Sequence, residues 1–351
     1  MKNGNKKQKQ ELGQFFTTNY KYILKHMRIP SNISHIIEPF TGNGDLLNFL
    51  EKDKYDIECY DIVPKKEFIQ QRDTLNDPPD YNGKFIITNP PYLARNKSKD
   101  KRIFDKYDVN DLYKCFIKEL ISNVSAGGII IIPLNFWSSI RNNDIELRKI
   151  FLEKYNIIRL NIFEERVFDD TSYTVCSFQF KPKKNKDDIN NIIITLYPSK
   201  NRIETVLQDS NNYLIGGEIY KLITKGDYKI SRLTKKNKDK QNTNILVKCI
   251  DDNRNSKIGL SFVDNDKVYI DNTPNQTART YATLIIEPAI NIEKQKELVN
   301  KFNKFLEERR IKFNSLFLTN YRESKDIARK RISFDLVYSM VEYILDNFDA
   351  I

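Results

Sequence analysis

Residues 33–52 read ISHIIEPFTGNGDLLNFLEK. An apolar run at 33–39 halts at Pro39, glycines follow at 42 and 44, and an amphipathic stretch at 45–52 opens on Asp45. Strand, glycine turn and helix are the reading this order of residues supports. Glycines in such a turn let the backbone approach a ligand at the carboxyl end of the strand, where open α/β sheets bind ligands. A purely structural turn would use the same glycines, so this segment alone leaves both readings open.

The same alternation continues outward. Apolar runs at 57–61, 68–71, 85–88, 128–133, 157–163 and 174–181 predict six further strands. Helical spacing at 111–124 and 144–155, each opened by an Asp able to cap it, predicts helices between them. Strands alternating with helices imply an α/β fold with a doubly wound, mostly parallel sheet. Only 157–163 and 174–181 lack a helix between them, which suits an antiparallel hairpin at one edge. KPKKNKDDINN (181–191) reads as a polar linker, after which short strand-like pieces and two helices, 292–310 and 331–347, predict a second, smaller α+β domain. The expected division is 1–184 and 185–351.

Composition bounds the function. The 351 residues suffice for one full α/β core plus a smaller domain. No apolar run reaches the ~18 residues that span a bilayer, and MKNGNKKQKQ carries no signal-peptide core, so a soluble intracellular chain with no membrane partner is expected. Four scattered cysteines (Cys59, Cys115, Cys176, Cys249) with only His26 and His35 assemble no zinc spacing, so reduced thiols and no metal are expected. A net charge of +11 suits a polyanionic partner, although Lys/Asn/Ile-rich chains are often basic for compositional reasons. The excess is localised: 201–250 carries ten Lys/Arg against five Asp/Glu, whereas 51–100 carries nine against ten.

Three acids fall at successive strand ends. Glu38 could face a cationic amine, Asp61 could accept from both hydroxyls of a ribose, and Asp73 from an adenine amino group. Asp61 or Asp73 alone reads more readily as a solvated loop acid, and the placement of acids at three successive strand ends is what shifts that balance. Asn89-Pro90-Pro91-Tyr92 then closes the run 84–88, emerging at the same sheet edge as the glycine turn. Pro-Pro ends a strand whatever its function, but a turn has no need of Asn before it and an aromatic after it. Methylation of an aryl amine does need such groups. The N6 lone pair of adenine is delocalised into the ring. Two fixed acceptors, the Asn89 side-chain oxygen and the Pro90 carbonyl, could bind both N6 hydrogens and free the lone pair for attack. Tyr92 would stack on the base. On this reading Asn89 acts on the acceptor base and leaves cofactor binding alone.

These residues resemble the amino-methylating, S-adenosylmethionine-dependent DNA methyltransferases of the gamma class, which place cofactor motifs before NPPY and the target-recognition domain last. The resemblance covers roughly 11–181. It implies a seven-stranded methyltransferase (Rossmann-like) sheet, with 1–184 binding S-adenosylmethionine and 185–351 reading DNA. Leu12-Gly13-Gln14-Phe15-Phe16-Thr17-Thr18 is similar to the N-terminal cofactor motif, with Thr17-Thr18 where Thr-Pro is usual. The cofactor residues so implied are Gln14, Phe15, Thr17, Glu38, Phe40, Gly42, Gly44, Asp61 and Asp73. Val167 to Ser172 resembles the motif whose aromatic packs a flipped-out base, which points to Phe168, with Phe163 and Tyr173 as alternatives. Asn89, Pro90, Pro91, Tyr92 and Phe168 are then the catalytic set for site-specific adenine-N6 methylation within restriction-modification.

Double-stranded DNA is the implied partner of a monomeric chain, with a cognate restriction endonuclease acting separately. Arg95 and Lys97, after the NPPY motif, could hold a displaced backbone. Lys235 and Lys236, within a cationic run over 225–240, suit phosphates. Asn275, Gln276 and Arg279 could read base edges, as could Arg322 with Arg329 and Arg331, the last two placed at the opening of the final helix. The competing acceptors are RNA or a protein glutamine, and a different class of reading is a DNA-binding methyltransferase-like subunit without catalysis. Cofactor binding separates the latter.

Overall fold

The computed structural model describes residues 13, 15, 17–51, 53–168, 173–185, 188–251, 257–271, 280–323 and 328–350. The chain forms two compact units, Met1–Gln208 and Asp209–Ile351.

In the first unit the described strands are β1 (His35–Glu38), β2 (Asp56–Asp61), β3 (Gln70–Gln71), β4 (Phe85–Thr88), β5 (Gly127–Pro133), β6 (Tyr155–Phe163), β7 (Val175–Pro182), β8 (Asn190–Tyr197) and β9 (Arg202–Leu207). They form one sheet in the order β3-β2-β1-β4-β5-β7-β6-β8-β9. Neighbours from β3 to β5 are parallel, and β7 runs antiparallel to both β5 and β6. The fold is mixed α/β with a large, mostly parallel sheet. The central strands β4 and β5 are buried along their whole length. Continuous isoleucine runs suit strands covered on both faces, and each such side chain contributes about 1.5–3 kcal/mol of burial.

Three expectations are corrected. Among the described residues the sheet has nine strands where seven were expected, because 190–197 pairs parallel with β6 and 202–207 pairs with 190–197. The β6–β7 pairing is antiparallel as expected, yet it is not an edge: β7 inserts between β5 and β6. The stretch 181–191 therefore connects two strands of one sheet, and the division between units comes at Gln208.

The described α-helices of this unit are α1 (Tyr20–Ile23), α2 (Arg102–Tyr107), α3 (Leu112–Ser122), α4 (Asn135–Ser138) and α5 (Asn142–Lys154). The helix expected at 45–52 is only a 3₁₀ turn, Leu46–Phe49. There the Asn48 amide donates to the Asp45 carbonyl (3.1 Å), offering the backbone a local alternative to α-helix. None of the three Asp residues caps its helix by a side-chain bond. Asp111 accepts instead from the Leu93 N–H (3.1 Å), and Asp144 accepts from Lys114 (2.5 Å).

The second unit carries an antiparallel sheet of β10 (Lys229–Arg232), β11 (Ile245–Lys248), β12 (Gly259–Phe262) and β13 (Tyr281–Glu287), in the order β10-β13-β11-β12. Its core joins Val247 and Leu284 of the sheet to Leu298 and Phe302 of α6 (Ile292–Phe313) and Val337 and Met340 of α7 (Phe334–Asp346). Asn291 and Ser333 cap these two helices, accepting from Lys294 N (2.8 Å) and Leu336 N (3.2 Å). Because Ser333 sets the start of α7, Arg329 and Arg331 do not open it. They lie in β15 (Ala328–Arg331), which pairs antiparallel with β14 (Thr319–Glu323), Arg322 opposite Arg329. Among the described residues no helix is long and apolar enough to cross a membrane.

Candidate active site

A cavity of ≈ 620 Å³ opens at the carboxyl ends of β1, β2 and β4, and Phe15, Phe40, Gly42, Asp61, Asp73 and Asn89 all line it. Parallel strands bring these residues together because each is followed by a loop at the same edge. The glycine turn closes with Gly44 N–H donating to Thr41 O (2.8 Å). Gly42 and Gly44 both take positive φ, +55° and +77°. Gly42 faces the cavity; Gly44 abuts Leu47, Lys66 and Phe68, so its part is conformational. Asp61 ties the turn to β2: its Oδ2 accepts from Gly42 N (2.8 Å) and its Oδ1 from Val63 N (2.8 Å). Asp73 accepts from Asn76 Nδ2 (2.7 Å) and shapes the turn lining the far wall.

Glu38 is 1 % exposed. Its Oε1 accepts from Thr88 Oγ1 (2.5 Å) and Phe40 N (3.4 Å), while Oε2 is buried with no hydrogen-bond partner among the described residues. Burial pushes this carboxyl up to about 8; the Thr88 and Phe40 bonds oppose the shift and the nearby Asp61 charge reinforces it. An orphaned acceptor at this position is suited to a cationic ligand.

Asn89 is oriented by its own amide. Its Nδ2 donates to Phe15 O (2.9 Å) and Thr17 Oγ1 (3.1 Å), which turns Oδ1 toward the Tyr92 hydroxyl. That hydroxyl also lies 2.9 Å from Ile131 O of β5. Tyr92 is 2 % exposed and is absent from the cavity wall; Phe15 stacks on it, centroids 5.2 Å apart at 29°. Phe15 also meets Phe168 at 6.3 Å. Tyr173 meets Tyr92 edge-on at 6.2 Å, whereas Phe163 is fully buried against Tyr197 and Tyr22. The structure thus joins Phe168 and Tyr173 to the Asn89–Tyr92 cluster and gives Phe163 to the core. Pro91 lines the cavity and Pro90 is buried.

Sequence reasoning missed the supports of this cluster. Gly13 has φ +66°, and a Cβ there would sit 2.6 Å from Tyr92 O. The close approach lets Tyr92 N donate to Gly13 O (2.9 Å). Asp111 is buried, its carboxyl raised to about 6 by burial against the opposing pull of Lys114 and backbone N–H groups. Lys114 bonds Asp144, which accepts from Ser139 Oγ (2.5 Å), and the buried Arg148 guanidinium donates to Phe136 O (2.9 Å) and Ser139 O (2.8 Å). These buried polar groups tie the loops after β4 and β5 together. Thr88 carried a faint signal, a hydroxyl ending an apolar run, and Gly13 stood within the motif at 12–18; the pairings Leu93–Asp111, Lys114–Asp144 and Gly13–Tyr92 carried none, since their partners are 18 to 79 residues apart in sequence.

The remaining expected residues lie elsewhere. Arg95 pairs with Asp105 (2.7 Å), and Lys97 is exposed. Lys235 and Lys236 are exposed on a 3₁₀ segment, Lys235–Lys240, opened by a Thr234–Asn237 capping box. Arg331 is half-buried at the end of β15. Gln14, Asn275, Gln276 and Arg279 lie outside the described residues, as do 169–172. All four cysteines are buried free thiols.

Residues 6–168 match the model of the Eco57I restriction-modification methylase family. The match takes in a little less than half of the chain. No curated protein matches it. Solved structures similar to it include a modification subunit assigned to a type I restriction enzyme of Vibrio vulnificus YJ016, at 12% identity and TM-score 0.41, covering 57% of this chain and 51% of that one. A type I restriction-modification methyltransferase subunit from Streptococcus thermophilus matches at 15% identity and TM-score 0.39, covering 53% and 48%. The DrdV–DNA complex matches at 14% identity and TM-score 0.43, covering 69% and 35%. The chain thus spans about half or less of the length of these structures, and at such scores the likenesses carry no functional weight.

Proposed function

We propose that this chain is a DNA methyltransferase that moves a methyl group from S-adenosylmethionine to N6 of an adenine rotated out of the duplex. The observation that carries the reading is the convergence of Asn89 and Pro91 with Gly42, Asp61 and Asp73 on one cavity. The Eco57I family match over 6–168 supports it.

The residues present fit the donor. Glu38, with a buried unpartnered oxygen, would meet its cationic amine; Asp61 and Gly42 would hold the ribose side, and Phe40 and the 73–76 turn the adenine. When bound, S-adenosylmethionine supplies an electrophilic methyl on a cationic sulfur. The chain's own part is to position the amine. Asn89 Oδ1 and the Pro90 carbonyl would accept the two N6 hydrogens and draw the lone pair out of conjugation. That is preorganised electrostatics. The methyl group would pass to N6 with its old bonding pair left on sulfur, and the extra N6 proton would be released to solvent through the mouth of the cavity. Rotating the base out costs a few kcal/mol, which stacking on Tyr92 and Phe168 would partly recover. Lys235, Lys236 and the β14–β15 hairpin would serve phosphates and bases in the second unit.

Single-molecule sequencing of DNA from cells expressing the chain tests the reading and maps the recognition site. N6-methyladenine at one motif is the expected result. Methyl transfer confined to RNA or protein, or none at all despite cofactor binding, refutes it.

A further inference from the structure

We propose that Phe15 is a residue of the base site, its ring holding in the free protein the place on Tyr92 that the target adenine takes during reaction. The inference rests on the proposed DNA methylation, in which Tyr92 and Phe168 stack the base. Phe15 is the ring that joins those two: it lies 5.2 Å from Tyr92 at 29° and 6.3 Å from Phe168 at 38°. Offset contact at such distances is how a flat base would meet the same rings. Tyr92 is 2 % exposed and Phe15 faces the cavity, so a base entering the cavity reaches Phe15 first.

The polar half of the site is self-satisfied in the same way. Asn89 Oδ1 accepts the Tyr92 hydroxyl, standing where an N6–H would donate. The Asn89 amide meanwhile holds the Phe15 carbonyl (2.9 Å) and Thr17 Oγ1 (3.1 Å), so the residue proposed to bind the base also seats its substitute. A buried acceptor and an apolar slot between aromatic rings are both costly to leave empty. Filling them with Tyr92 and Phe15 keeps the site closed until a base displaces the ring.

This arrangement predicts a gain on truncation, which a merely structural role would not give. Duplexes carrying 2-aminopurine at the mapped target adenine are titrated with the full chain, and the fluorescence rise reads capture of the flipped base. Thermal melting checks the fold, and calorimetry with S-adenosylhomocysteine reads cofactor affinity separately. Phe15→Ala is expected to tighten base capture by roughly three- to ten-fold, the factor one aromatic pair contact is worth. Phe15→Leu, which keeps bulk without a flat ring, should fall between, and serves alone should Phe15→Ala fail to fold. Capture unchanged or weakened in a folded variant, with wild type flipping normally, overturns the proposal. Were wild type neither to flip nor to methylate the duplex, the DNA reading itself would fail and take this inference with it.

Discussion

Replacing Asn89 by Ala removes three bonds at once, and the structure separates their consequences. The lost Oδ1 is the acceptor proposed for one N6 hydrogen. Deleting one preorganised hydrogen-bond partner of a reacting group typically costs ~100-fold or more in rate. The lost Nδ2 leaves Phe15 O and Thr17 Oγ1 without their donor. At about 1 kcal/mol for each bond, 1–2 kcal/mol of docking of this N-terminal segment disappears, a factor of roughly 5–30. Because Phe15 lines the cavity, cofactor affinity should weaken by a factor of that size. This revises the expectation from sequence that Asn89 concerns the base alone.

Asn89→Asp distinguishes the two effects. It keeps an oxygen where Oδ1 lies and loses the donors, so it should show the cofactor defect in full and the chemical defect only in part. Single-turnover methyl transfer to duplex DNA reads chemistry, and calorimetric titration with S-adenosylhomocysteine reads binding. Near wild-type transfer by Asn89→Ala would falsify the mechanism. Equal rate losses in Ala and Asp variants would show that the acceptor oxygen is not what matters.

Three further outcomes are expected. Glu38, raised from 4.5 to about 8 by burial, contributes stability through its protonated form that is complete below about 4.5 and lost as pH rises through 8; Glu38→Gln should therefore hold its melting temperature between pH 6 and 9 while wild type declines, and parallel declines would remove Glu38 as the cause. Gly13→Ala places a Cβ against Tyr92 O at positive φ, which costs ~1–2 kcal/mol in backbone strain alone; transfer should fall about ten-fold or more with little change in melting, and unchanged transfer would show the segment is not needed. Alanine at the exposed Lys235, Lys236 and Lys238 should weaken binding to all duplexes alike and flatten the salt dependence by up to about three in slope, whereas altered sequence choice at constant slope would assign them to base reading.

What was legible in the sequence is what short-range order decides. The strands from 33–39 to 174–181 emerged from apolar runs that a buried parallel sheet requires. The carboxyl-edge residues Gly42, Asp61, Asp73 and Asn89 followed, because a strand end is a sequence-local feature. Two strands, 190–197 and 202–207, passed unread because Lys, Asn and Asp around them resemble a linker, and the first is ordered by partners in β6 that lie 34 residues away, the second only by pairing with the first. The acids at 111 and 144 looked like helix caps, which is the commonest local use of Asp before a helix. Their actual partners, Leu93 and Lys114, exist only once the fold is made. The covering of Tyr92 by Phe15 was hidden for the same reason.

Three residues around the candidate site share one property: they oppose the stability of the fold that holds them. Glu38 keeps an oxygen buried without a partner among the described residues, Asp111 is held in a setting that disfavours its charge, and Gly13 adopts positive φ against a backbone carbonyl. A sheet built for stability alone would put Gln or an apolar residue at 38, since burying a charge costs more than burying its neutral isostere. All three instead border the Asn89–Tyr92 turn or the cavity beside it: Glu38 through Thr88 next to Asn89, Asp111 through Leu93 after Tyr92, Gly13 through the Tyr92 backbone. Local departures from what folding favours are expected where a site is held ready for a ligand. Here they converge on one turn, and its Asn89 is therefore the residue on which the function of the chain should be tested first.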